Sequence, residues 1–244
     1  MNSKVLRRHL VVFCAALCTS LFSMGSIYEK SGFYAGLSAG AGYNASNFKG
    51  EGTGIGDGGG ITEFRALRKI STCGFEKDLD GFVGYMMHLP RKDWMAGIEF
   101  GIEKPFYKKH FDNALLAQVV GVPIPADFRC EIKTLYVAKL HAKIGKILNE
   151  KWFVYGLSGV DMKRIETFMH EGAVGKISKK KCIFGLAVGL GAEREISANW
   201  RLGLELVNTY YPAKTFGVDN PHFIGNEKVK ANTTQLALRL IYSF

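Results

Sequence analysis

After about residue 30, apolar residues alternate one by one with polar or small residues through most of the chain. This period of two is typical of β-strands whose two faces meet different surroundings. The last such segment sets Leu238 and Leu240 against Arg239. The pattern predicts eight strands, at 33–43, 78–89, 94–103, 132–144, 152–165, 184–193, 200–210 and 236–244.

In each segment we assign one face outward and one inward. In the fourth segment, Ile132 and Thr134 belong to the outward face, and Lys133 belongs to the opposite one. The outward residues expected in the fifth segment are Phe153, Tyr155 and Leu157. Asp161 then falls on the same face, unless a β-bulge turns it to the other side.

The connections between the predicted strands alternate in length. Short polar turns are predicted at 90–93, 148–151 and 197–199, whereas the other connections are about 16 to 30 residues long. Trp94, Trp152 and Trp200 each begin a strand directly after a short turn, which indicates a hairpin repeat of about 50 residues. The short turns and the long loops are therefore expected at opposite ends of one structure.

The polar face distinguishes a membrane barrel from a soluble sheet. It contains many glycines and a few charges of both signs, which suits a narrow lumen where long side chains pair across it. Aromatic residues flank the apolar faces at the short-turn end, as membrane interfaces favour. We predict an all-β, eight-stranded antiparallel up-and-down transmembrane β-barrel rather than a soluble periplasmic sheet. The candidates for lumen ion pairs are Glu99, Lys139, Lys143, Glu205 and Arg239.

The N-terminal segment is predicted to be a secretory signal peptide at residues 1–25, followed by a barrel domain at 26–244. A basic start precedes a 13-residue apolar core at 10–22 and small residues around Gly25. A transmembrane helix needs about 20 apolar residues, and no later run approaches that length. Without the basic residues Lys4, Arg7 and Arg8, the formal net charge falls from +10 to +7. This excess favours an anionic lipid surface as partner over nucleic acid.

At this point the chain resembles a known family, the small outer-membrane β-barrel proteins of Gram-negative bacteria. They include the barrel domain of outer-membrane protein A and porin-family relatives. The resemblance lies in the glycine and aromatic alternation at 32–40, in 185–193, and in the terminal strand. It implies location in the cell outer membrane. It also implies that Tyr242 and Phe244 form the signal read by the barrel assembly machinery.

Two further groups of residues are candidate sites near the long-loop end. Cys73 and Cys130 could form a disulfide in an oxidising compartment, and the alternative is that all the thiols are free. The histidines and cysteines lack metal-ligand spacing, so no metal site or cofactor is predicted. A cluster of lysines could contact lipopolysaccharide phosphates or another polyanion, and the alternative is a solvated loop. These lysines are Lys176, Lys179, Lys180 and Lys181.

The family resemblance and the residues together favour one class of function. We expect a surface or structural protein of the envelope, with long extracellular loops that carry recognition of an unknown ligand. The alternative is a small pore of the porin type, although eight strands leave an interior that side chains fill. A lipid-modifying enzyme is the third class. No histidine is followed two residues later by serine, so no catalytic residue is proposed.

Overall fold

The computed structural model describes residues 31–55, 61–65, 70–90, 93–106, 108–111, 129–149, 151–171, 175–220 and 223–244. The predicted signal peptide lies outside these residues. Within them, no helix is long and apolar enough to cross a membrane. The strands are β1 Gly32–Ile55, β2 Ile61–Arg65, β3 Ile70–His88, β4 Trp94–Pro105, β5 Lys108–Phe111, β6 Arg129–Leu148, β7 Trp152–Glu171, β8 Gly175–Ser197, β9 Trp200–Asn220 and β10 Phe223–Ser243.

These ten segments form an eight-stranded antiparallel barrel. β2 and β3 lie end to end along β1, and β4 and β5 both pair with β6. The sheet closes because β10 pairs with β1 from Tyr34↔Ser243 to Gly54↔Phe223. Each remaining strand pairs with its neighbour along the chain. The predicted fold class is therefore confirmed.

The strand register shows how strongly the strands tilt. The path of paired residues that starts at Phe33 passes once around the barrel and returns to β1 at Tyr43, ten residues further along. A shift of this size in an eight-stranded barrel corresponds to a tilt of about 35–45° and an interior that side chains fill. The short turns gather at one end, which we call the periplasmic end.

The predicted faces are confirmed in six of the eight segments. In the fourth, a β-bulge between Thr134 and Tyr136 reverses the alternation, so Ile132 and Thr134 are buried in the lumen and Lys133 is exposed. The outward assignment in that part was wrong because one extra residue turns every side chain beyond it to the other face.

The fifth segment needs a larger correction. Phe153, Tyr155 and Leu157 are buried in the lumen, and Asp161 lies on the same inward face. The pairing of β7 with β8 has no register shift, so no bulge is involved. The sequence was ambiguous here because β7 carries apolar residues on both faces: Val154 and Val160 point outward. The outward prediction for Phe153 and its two neighbours was wrong.

The strands at the extracellular end are longer than predicted. β9 ends at Asn220 and β10 begins at Phe223, and β7 and β8 are separated only by residues 172–174. The predicted connections of about 16 and 20 residues are therefore mostly paired strand. Beyond the membrane both faces of a strand meet water, so the alternation fades although backbone pairing continues. The extracellular end is a set of extended hairpins at these positions.

Toward the extracellular end, two pairs of neighbouring strands separate from each other. Pairing of β3 with β4 stops at Asp78↔Pro105, and pairing of β8 with β9 stops at Leu186↔Tyr210. Beyond Tyr210, β9 pairs only with β10 among the described residues, and residues 175–185 of β8 pair only with β7. In the part of the chain that the structure describes, the upper wall thus consists of two four-stranded sheets. We call the gap above Leu186↔Tyr210 the β8–β9 seam.

Candidate functional site

A buried charge network occupies the lower part of the lumen. The Glu99 carboxylate accepts a hydrogen bond from Lys143 Nζ at 2.8 Å, and Glu205 accepts one from the same ammonium at 3.0 Å. The Arg239 guanidinium contacts both carboxylates, one through each terminal nitrogen. All four side chains are buried. The structure thus places four of the five predicted lumen residues in one network.

Two tyrosines complete this network, and glycines make room for them. Tyr34 donates to Glu99 at 2.9 Å, and Tyr155 donates to Glu205 at 2.7 Å. A β-carbon at Gly84 would overlap the Tyr34 ring, and one at Gly191 would overlap the Tyr155 ring. The glycine content of the inner face therefore reflects close packing around large polar side chains.

Lys139, the fifth predicted residue, lies in a second layer nearer the extracellular end. Its ammonium pairs with Asp80 at 3.2 Å and with Glu103 at 2.5 Å, and it donates to Gln235 at 3.3 Å. These contacts join four strands across the lumen. The Lys139 ammonium is therefore paired with two carboxylates, and its contacts connect β6 with β3, β4 and β10.

Sequence reasoning missed the rest of this second layer. Asp161 contacts His141 at 2.8 Å and accepts a hydrogen bond from Thr209 at 2.7 Å. Lys163 pairs with Glu76 at 3.3 Å. Asp161 and Lys163 were not predicted as lumen ion-pair residues because the face of the fifth segment was uncertain, although a charged pair two residues apart could have identified the inward face. In the described part of the chain, no group of three acidic, histidine or cysteine side chains could hold a metal ion.

The outward face carries an apolar band between two aromatic girdles. Among the described residues, the outward charges next to the apolar band lie at its edges: Lys77 and Lys104 are each one outward position below an upper-girdle phenylalanine. The periplasmic girdle contains Phe33, Tyr85, Trp94, Trp152, Trp200 and Phe244, and the upper girdle contains Tyr43, Phe75, Phe106, Tyr136, Phe184 and Tyr210. Exposed leucine, isoleucine and valine fill the space between them. Apolar surface of this extent indicates contact with lipid.

The two residues of the predicted assembly signal lie in the periplasmic girdle. Tyr242 packs edge to face between Trp200 and Phe244, with ring centroids 5.1 and 5.2 Å apart, so it is buried although its strand position is outward. Asn199 donates to its hydroxyl at 3.2 Å. The Phe244 ring is 76 % exposed. Phe244 is therefore the accessible member of the pair.

Basic side chains form a ring at the upper girdle, which we call the basic rim. Its members lie on the same outward face as the lipid-facing residues of their strands. Among the described residues at this level, the acidic side chains on that face are Glu131 and Glu166. The described members are Lys77, Lys104, Lys133, Arg164, Lys180, Lys228 and Lys230. A cationic ring at this height faces the headgroups of the outer leaflet.

The predicted lysine cluster overlaps this rim only in part. Lys180 is exposed and lies 3.7 Å from Glu166 across the β7–β8 pair. Lys181 lies one residue further along β8 and is half-buried. The side chains of Lys176 and Lys179 lie outside the described residues. The paired strand under all four replaces the expected loop.

The predicted disulfide stays a prediction. Cys73 is a free, exposed thiol on β3, and Cys182 is also free. The side chain of Cys130 lies outside the described residues.

Glu166 gives a pH-dependent test of the rim. A hydrogen bond from the Ser178 hydroxyl at 2.7 Å lowers the pKa of Glu166, and the Lys180 ammonium acts in the same direction. We expect Ser178→Ala to raise this pKa toward its ordinary value, and Lys180→Gln to raise it less. Carboxyl-carbon NMR titration in nanodiscs measures both.

The lowered pKa of Glu166 determines how its contribution to folding stability changes with pH. A carboxylate with a lowered folded pKa stabilises the fold above its unfolded pKa, and this contribution disappears as the pH falls through the folded value. Ser178→Ala should therefore make the upper hairpin less sensitive to acid. An unchanged titration in Ser178→Ala would show that the hydroxyl does not bind Glu166 in solution.

Comparison with known proteins gives similarity at the level of structure. No family model matches the chain, and no curated protein matches its sequence. The structure is similar to Ail of Yersinia pestis in complex with the heparin analogue sucrose octasulfate (13% identity, TM-score 0.38), covering 84% of this chain and 99% of that one. It is also similar to Neisserial surface protein A, with 14% identity and TM-score 0.35, covering 84% and 97%.

A third similar structure is the N-terminal β-barrel domain of Pseudomonas aeruginosa OprF, with 9% identity and TM-score 0.35, covering 82% of this chain and 97% of that one. Similarity at this level does not extend to ligands or partners. The closed strand pairing and the outward apolar band decide the fold class. The chain folds as a small outer-membrane β-barrel. Its lumen is a packed polar core, and its longest strand extensions are at the extracellular end.

Proposed function

We propose that this barrel is a non-conducting surface protein of the outer membrane, whose membrane part supports the extended extracellular hairpins. The closed lumen is the observation that carries this proposal. Near the periplasmic end, buried apolar side chains form one cluster in the lumen, and two of its members, Phe153 and Ile241, have no exposed surface. The charged layers lie beside and above it. A lumen packed in this way supports a structural role better than a pore.

Single-channel recording tests the closed lumen. Purified protein reconstituted in planar bilayers should give no steady conductance steps, because ions would have to displace the Phe153 cluster and the buried ion pairs. A general porin reconstituted in the same lipid serves as the positive control. Regular steps on the nanosiemens scale would overturn the proposal and favour the small pore.

The extracellular end is the surface on which we place recognition. β1 continues twelve residues past Tyr43 to Ile55, and β9 continues ten past Tyr210 to Asn220. Paired backbone of this length limits the conformations of the extracellular hairpins, which reduces the entropy lost on binding. The extracellular ligand and any contact with a host remain part of this proposal.

Lipids of the outer leaflet are the proposed partners of the basic rim. The rim carries seven outward cations against two carboxylates among the described side chains. Phosphate groups of lipopolysaccharide would match this charge at the height where the apolar band ends. We also propose that the barrel assembly machinery reads Phe244, which projects from the last strand while Tyr242 is packed.

We propose no enzymatic activity. The lumen carboxylates most suited to acid or base chemistry, Glu99 and Glu205, are each bound to a lysine, an arginine and a tyrosine. These contacts support a structural use of the charges.

A further inference from the structure

The β8–β9 seam lies at the height where the apolar band meets the headgroups. The last pair below it is Leu186↔Tyr210, and both side chains point outward. Phe184, two residues above Leu186, is also exposed on the outer face. The wall therefore opens at the upper aromatic girdle, between two strands whose outward surface is apolar.

Backbone groups at this height lack a strand partner among the described residues. Residues two apart on a strand direct their N–H and C=O groups to the same side. The Lys214 ammonium on β9 donates to the Cys182 carbonyl of β8 at 3.1 Å, so the backbone groups of Cys182 and Phe184 face the seam. In a membrane such groups need partners.

Positive charge is concentrated just above the seam. The Lys214 ammonium reaches across it, and the Lys230 ammonium lies 5.1 Å from the centroid of the Tyr210 ring. Pro212, two residues beyond Tyr210, has no N–H and lies in a stretch where the β9–β10 register shifts. The local wall thus combines lysine ammoniums, backbone groups of β8 without a β9 strand partner among the described residues, and an apolar surface directly below them.

We propose that the β8–β9 seam is a binding site for one anionic, phosphate-bearing lipid of the outer leaflet. The phosphate would contact Lys214 and Lys230 and accept hydrogen bonds from the N–H groups of Cys182 and Phe184, which face the seam. An acyl chain would lie over Leu186, Phe184 and Tyr210. The occupant is a membrane lipid because the cations stand at the upper edge of a surface that only a chain in the membrane can cover.

This site differs from general attraction to the basic rim. Lys133 and Arg164 carry the same charge at a similar height, but they lie on β6 and β7, which pair with each other on both sides of the bulge. No seam opens beside them. If lipid binding depended only on the charge of the rim, the pair Lys133 and Arg164 would contribute as much to it as the pair Lys214 and Lys230. The proposed seam site predicts that Lys214 and Lys230 contribute more.

Native mass spectrometry of the detergent-purified barrel tests the proposal. We expect the wild type to retain one dioleoyl phosphatidic acid about tenfold more tightly than dioleoyl phosphatidylcholine. Lys214→Gln with Lys230→Gln should remove this preference, whereas Lys133→Gln with Arg164→Gln should keep it. Heat-modifiable migration on gels checks that both variants are folded.

The contribution of the acyl chain needs its own variant. Phe184→Gln should weaken binding of dioleoyl phosphatidic acid, and inorganic phosphate should not displace the lipid. Equal losses in the two double variants, no preference in the wild type, or displacement by phosphate would each overturn the site. The proposal rests on the membrane placement of the proposed function, and the conductance experiment tests the closed lumen separately.

Discussion

Replacing Arg239 with methionine should destabilise the barrel by about 3–5 kcal/mol, the largest single effect expected in the lumen. Arg239 is fully buried, and its guanidinium contacts both Glu99 and Glu205. Without it, two carboxylates share the single ammonium of Lys143, and one negative charge is left unpaired among buried side chains. Urea unfolding from lipid vesicles, followed by tryptophan fluorescence, measures the loss.

A second substitution separates the unpaired charge from the lost packing. Arg239→Met combined with Glu205→Gln removes one charge of each sign and leaves the Glu99–Lys143 pair, which is 2.8 Å long. We expect this variant to recover most of the stability, because a neutral replacement of a buried pair is often tolerated. Equal destabilisation of the single and double variants would mean that packing, and not charge, explains the loss.

An exposed arginine provides the matched control. Arg194 lies over the Trp152 ring, with its guanidinium carbon 5.5 Å from the centroid. Arg194→Met should cost no more than about 1 kcal/mol, as for exposed cation–π contacts. The same chemical change at Arg239 and Arg194 therefore differs only in burial and in the number of carboxylates left behind.

The sequence predicted the barrel where the two faces of a strand differ in chemistry. In β4, Ile98, Phe100 and Ile102 face outward while Glu99 and Glu103 face the lumen, and this contrast sets the register without ambiguity. The prediction failed in β7 because Phe153 and Val154 are both apolar. A strand with apolar residues on both faces has no signal that says which side is lipid.

Other features depend on information that is not local to a segment. The bulge at Leu135 follows from the pairing of β6 with β7, and nothing in residues 132–144 marks it. The partners of Lys139 come from three other strands, so its contacts depend on the ten-residue shift of register around the barrel. The β8–β9 seam is a loss of pairing between distant strands, which single-strand periodicity does not report.

Replacing Leu190 with arginine should destabilise the folded barrel by about 2–4 kcal/mol. Leu190 lies on β8 near the middle of the apolar band, and its side chain is 62% exposed. In lipid, the arginine must bring its charge into hydrocarbon or distort the bilayer to reach water. Urea titration of folding into vesicles measures the cost, and the amount of heat-modifiable protein in membranes gives a second measurement.

Ile196 on the same strand provides the control. It is also apolar and exposed, at 56%, but it lies beside the periplasmic turn. Ile196→Arg should cost only about 0–1 kcal/mol, since the charge reaches the interface directly. On a soluble sheet both residues would face water, and both substitutions would change stability by about 0.5 kcal/mol or less. A large cost at Leu190 alone therefore requires lipid around the middle of the barrel, whereas two small effects would contradict the membrane placement.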